Sequence, residues 1–198
     1  MAIDTGFVAP SNAAVELKPP VSWGAIWSGA TVTVAVSIVL TLAGAGLGYA
    51  LSVSAIASRS SLAAFTPEVG AGAMVVQVLA AALGGYLAGR LRTIWHGVHD
   101  DEAHFRDMAH GLIAWALATL ILIVLGAALL APYADALAGQ AGDQPPLSAD
   151  DARRAASIAA QSYLFMAVGM LLSAFVAAVA GRIGGLRNEQ MHLTYLHR

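Results

Sequence analysis

The chain has 198 residues, 58% of them hydrophobic and 11% charged, against roughly 25% charged in a typical soluble domain. Its 43 Ala and 20 Gly fill a water-excluded core poorly but suit close helix contact in lipid, so an ordinary soluble enzyme is excluded and a membrane protein expected. A net charge of −2 and a pI near 6.3 give nucleic acid no electrostatic footing, and the absence of Cys excludes disulfides, thiolate metal sites and a thiol nucleophile.

Residues 1–21 carry Asp4, Glu16 and Pro19-Pro20 without a basic start leading into an apolar run. They read as a cytoplasmic N-terminal segment rather than a cleavable signal. Beyond them the apolar runs have the length of membrane-spanning helices. They show no strand-like alternation, as Leu120-Ile121-Leu122-Ile123-Val124-Leu125 illustrates. Helices are expected near 22–51, 70–91, 105–131 and 152–185, giving an all-α, four-helix membrane domain over 22–185, a middle loop at 92–104 and a tail at 186–198. Ser148-Ala149-Asp150-Asp151 reads as a capping box for the last helix.

Orientation follows from the basic residues. The side holding both termini and the middle loop carries Lys18, Arg90, Arg92, Arg106, Arg182, Arg187 and Arg198, whereas the other carries Arg59, Arg153 and Arg154. Seven against three places both termini in the cytoplasm. Trp23, Trp27 and Trp95, with Arg90, Arg92 and Arg182, are then expected as interface anchors, with lipid as their partner.

The second and fourth helices end alike, in Ala88-Gly89-Arg90 and Ala180-Gly181-Arg182, and the first and third begin alike, in Trp23-Gly24-Ala25-Ile26 and His110-Gly111-Leu112-Ile113. A two-helix hairpin repeated in tandem accounts for both matches. Small residues recur every fourth position at Ala81, Gly85 and Gly89 and at Ser173, Ala177 and Gly181, and Gly44 with Gly48 forms another pair. Such spacing lets helix backbones approach closely, within one chain or between chains.

Between the expected interfaces no ionisable residue occurs. Gln77 is the one strongly polar side chain at depth, suited to an interhelical hydrogen bond or, on a second view, to a pore lining. The Thr hydroxyls there are expected to bond the carbonyl one turn earlier. The chemistry-bearing residues gather instead around the middle loop, where residues 96–110 hold four His and four carboxylates in fifteen positions. His99, Asp100, His104, Asp107 and His110 form the candidate metal set, a mixture of imidazole and carboxylate that suits a divalent ion such as Zn, Mn, Fe or Ni. The competing reading is a solvated interfacial loop with an acidic first turn that complements the helix dipole.

Val21-Ser22-Trp23-Gly24-Ala25-Ile26, the stretch LTLAGAGLG at 40–48, Gly84-Gly85-Tyr86-Leu87-Ala88-Gly89-Arg90-Leu91 and His110-Gly111-Leu112-Ile113-Ala114-Trp115-Ala116-Leu117 resemble a widespread group of uncharacterised bacterial inner-membrane proteins. The resemblance covers the first three helices and implies a bacterial cytoplasmic membrane with small-residue helix packing. It carries over no catalytic residue. The expected role is a non-enzymatic membrane subunit without a cofactor, which packs against itself or a larger complex through its Ala/Gly faces and binds no nucleic acid. The alternatives are a metal-binding protein and a small pore.

Overall fold

The computed structural model describes residues 21–56, 67–93, 100–134, 139 and 148–196, with the side chains of 48–56, 67–69, 100 and 192–196 outside that description. Among the described residues the chain is helical throughout and has no strand. Four long helices follow one another: α1 (Trp23–Ile56), α2 (Pro67–Arg90), α3 (Asp100–Leu130) and α4 (Ala149–Leu196), with a 3-10 turn at Ala131–Tyr133 closing α3. All four are long and apolar enough to cross a membrane.

Local chemistry sets the helix ends. Pro67 opens α2 at its first position, where the missing N–H has no intrahelical acceptor to lose and the fixed φ suits the helix. The expected capping box stands at the head of α4. The Asp151 N–H donates to Ser148 Oγ over 3.2 Å, and that hydroxyl donates to Asp151 Oδ2 over 2.7 Å. The helices run past several of the expected boundaries, the first reaching Ile56. The third helix begins at Asp100, because its acidic first turn extends the helix into the expected loop. The fourth runs on past 185 to Leu196, so the expected tail is largely helical. Gly184 and Gly185 do not break it, because their bare backbones are packed against α2 and α3.

Small residues decide the packing. A Cβ on Gly89 would strike the Gly181 carbonyl, and one on Gly85 would lie 2.8 Å from the Ala177 Cα, so α2 and α4 touch backbone to backbone. These are equivalent positions of the two similar helix ends facing one another. On α3, Gly111 meets the same Ala177–Gly181 stretch. Packing of α1 rests on Gly29, whose added Cβ would lie 2.5 Å from the Gly84 carbonyl oxygen and 3.2 Å from the Ala114 Cβ. Ile26, Ala88 and Ala114 form the buried apolar core where α1, α2 and α3 meet, with Val21 and Leu117 against it.

Thus Ala81, Gly85, Gly89, Ala177 and Gly181 belong to seams inside one chain. Gly44 does not, since nothing lies within 4 Å of a Cβ built there, and the surroundings of Gly48 lie outside the described residues. Large apolar side chains such as Leu42, Val124 and Leu171 are two-thirds or more exposed. A surface of this kind suits hydrocarbon rather than water.

Candidate functional site

At one end of the bundle the start of α1, the segment after α2, the first turns of α3 and the last turns of α4 come together. Ser22 ties α1 to that segment, its hydroxyl 3.0 Å from Thr93 Oγ1. Its backbone N–H, left over at the first turn of α1, donates to Nε2 of His110 over 2.9 Å. His110 Nδ1 in turn donates to the Arg106 carbonyl over 2.7 Å. With one ring nitrogen donating and the other accepting, His110 is held as the neutral Nδ1–H tautomer.

Arg92 lies at the centre. Its side chain is fully buried, and its guanidinium pairs through Nε and Nη2 with both carboxylate oxygens of Asp107, Nη2 to Oδ2 being 3.0 Å. The same Nη2 reaches Glu189 Oε1 at 2.8 Å. Asn188 donates to the Arg92 carbonyl over 3.0 Å, so α4 holds this residue by both backbone and side chain. Space for Asp107 comes from α4: a Cβ on Gly185 would collide with its carboxylate, and one on Gly181 would lie 2.5 Å from its carbonyl oxygen. The fork of Arg matches the two oxygens of a carboxylate, a pairing Lys could not reproduce.

The structure gives several of the expected site residues partners inside the bundle. Arg92, expected as an interface anchor, is 2% exposed and serves Asp107 and Glu189, because pairing inside the protein satisfies a guanidinium whose position lies over the α3–α4 groove. Of the metal set, Asp107 is committed to Arg92, and both ring nitrogens of His110 are occupied. Among the described residues, no three His, Asp or Glu converge as metal ligands. His99 and the Asp100 side chain lie outside the description, and His104 is half-buried on α3. Gln77 faces α4, where a Cβ on Gly169 would lie 3.3 Å from its Oε1.

Of the remaining anchors, Trp23 and Trp27 are exposed, as is Arg182, while Arg90 is half-buried and stacks over the Tyr86 ring at 5.9 Å. Trp95 lies outside the described residues. Thr31, Thr33 and Thr119 each donate to the carbonyl one turn earlier, as expected. Sequence reasoning missed the Arg92–Asp107–Glu189 cluster and an interhelical bond from Trp115 Nε1 to Ser173 Oγ of 2.9 Å. The signal for the first was present. Asp107 is in register with Gly111, Ala114 and Ala118, a face that is buried throughout, so the carboxylate had to enter the bundle with a counter-charge.

In comparison with known proteins, no family model matches the chain, and no curated protein and no solved structure is significantly similar to it.

Proposed function

We propose that this protein is a non-enzymatic, multi-pass subunit of a membrane complex, a bundle of four spans clamped at one end by Arg92, Asp107 and Glu189. The observation that carries the reading is the division of its small residues. Gly29, Gly84, Gly85, Gly89, Gly111 and Gly181 are consumed in seams within the chain, whereas a Cβ on Gly44, Gly46 or Gly126 meets nothing within 4 Å. In lipid, where no hydrophobic force drives helices together, such open small-residue positions are where another helix can approach. The assembly surface is thereby moved from Gly85, Gly89 and Gly181 to the far halves of α1 and α3.

The membrane is a bacterial cytoplasmic one with both termini inside. The seven-to-three basic bias and the resemblance of the first three helices support this. The facing of Gly85 with Ala177 and of Gly89 with Gly181 supports descent of the two halves from one repeated hairpin.

The natural chain has no Cys, so single cysteines report proximity without background. Gly44→Cys or Gly126→Cys in native membranes should form crosslinked species under mild oxidation, to a second copy or to a partner chain identifiable by mass. Gly89→Cys should form none. A bundle that stays uncrosslinked at the two open positions and migrates as a single chain after gentle extraction would overturn the subunit reading.

A further inference from the structure

We propose that the α2–α4 face at the Arg92 end binds the phosphate of an anionic phospholipid, held by Arg90 and Arg187. The inference rests on the membrane reading above and adds a ligand class to it.

Charge at this end is divided unevenly. Arg92 is satisfied by Asp107 and Glu189, and Arg106 by Glu102 at 2.7 Å. Arg90 and Arg187 have no carboxylate partner among the described residues. The Arg90 guanidinium lies over Tyr86, donates from Nη1 to the Tyr86 hydroxyl over 3.3 Å, and points Nη2 at the Met191 sulfur, 3.5 Å away on α4, so that its acceptors are one neutral hydroxyl and one weak thioether rather than an anion.

Gly184 brings α4 close to α2 at this point. Its bare backbone lies against the Tyr86 carbonyl, and an added Cβ would sit 2.9 Å from the Arg90 nitrogen. One turn further along α4, Arg187 lies between Gly184 and Met191 on the same side of the helix. The helix register thus sets an exposed Arg187 beside the reach of Arg90. The Arg90 guanidinium reaches α4 at Met191, one turn beyond Arg187, and two cations on neighbouring turns favour an anion beside them, phosphate accepting their forked N–H groups bidentately.

The surroundings select a lipid as the source of that phosphate. Arg90 ends the apolar span Gly70–Arg90, at the depth where headgroups meet hydrocarbon. Tyr86 one turn below has the ring type favoured at that boundary. Around Arg187 the exposed residues Ile183, Leu186 and Met191 are apolar. Cationic heads above an apolar wall match an anionic headgroup above its acyl chains, the form basic pockets between spanning helices take on the cytoplasmic side.

The test uses the full chain purified in a neutral detergent, with bound lipid counted by native mass spectrometry and thermal unfolding followed by helical circular dichroism. Phosphatidylglycerol should bind and raise the midpoint, and phosphatidylcholine should do so far less. Arg90→Gln and Arg187→Gln should each weaken phosphatidylglycerol binding about fivefold, with Arg90→Lys/Arg187→Lys retaining part of it and Arg153→Gln at the opposite end retaining all. Equal binding of the two lipids, or unchanged binding in the helical Gln variants, would overturn the proposal. Protection by inorganic phosphate equal to that by phosphatidylglycerol would overturn the lipid assignment. Failure of the membrane reading is distinct, because the chain would then be recovered from cells without detergent.

Discussion

Asp107 and Arg92 each carry a charge that would be costly to bury alone, and each removes most of that cost from the other. A buried pair of this kind adds little net stability over apolar side chains of the same shape, but leaving one charge unpaired costs about 3–5 kcal/mol. Asp107→Leu alone should therefore lower the thermal midpoint in detergent sharply, whereas Arg92→Met/Asp107→Leu should recover most of the loss. If the double variant were as unstable as the single one, the pair would not be acting as a unit. Legibility at this scale was partial. The residues were singled out by their chemistry, but chemistry alone grouped Asp107 with His104 and His110, its neighbours along one helix. Its partners come from the segment after α2 and from α4, which are remote in sequence.

At the scale of the helices, stability lies in how closely backbones meet. The α2–α4 seam has no room for a side chain at Gly89, while Gly72 on the same helix meets nothing. Gly89→Leu should thus destabilise the extracted bundle by several kcal/mol, since overpacking alone costs about 1–3 kcal/mol and parting the helices also loses dispersion contacts. Gly72→Leu should change the midpoint little. Circular dichroism melts of the two variants decide between a seam and a chance spacing. The fourfold spacing of small residues was legible because it repeats along one helix face. Which face met which was not, because a helix pattern holds no information about its partner. The extension of α4 beyond Gly185 escaped notice for the same reason: two adjacent glycines favour a helix end unless the helices packed on them are known.

For the molecule as a whole, the joining of Ser22, Thr93, His110 and Glu189 at one end requires neighbouring helices to run in opposite directions. The start of α1 and the end of α4 then lie at the same end of the bundle. On the proposed orientation, single cysteines at Thr93 and Arg187 should react with an impermeant thiol reagent only from the cytoplasmic face, and one at Tyr133 only from the other. Labelling of Thr93→Cys and Tyr133→Cys from the same face would refute the four-span topology. The alternation was legible because four apolar runs in succession must cross in turn, while the charge bias bears on a separate matter, the face on which the proposed orientation puts the ends.

Composition and run length alone determined that the chain is built of four long apolar helices, since backbone groups in an apolar stretch of that length have few other ways to be satisfied. The small-residue spacing likewise announced that helices would meet closely. Only the tertiary structure decided that Gly85, Gly89 and Gly181 are spent within the chain, that Arg92 turns inward to Asp107, and that Gly44 and Gly126 remain open. The physical reason is common to all three. Hydrophobicity and helix periodicity are properties of a single segment, whereas a counter-charge, a backbone contact and a vacant face exist only once segments distant in sequence have been brought side by side.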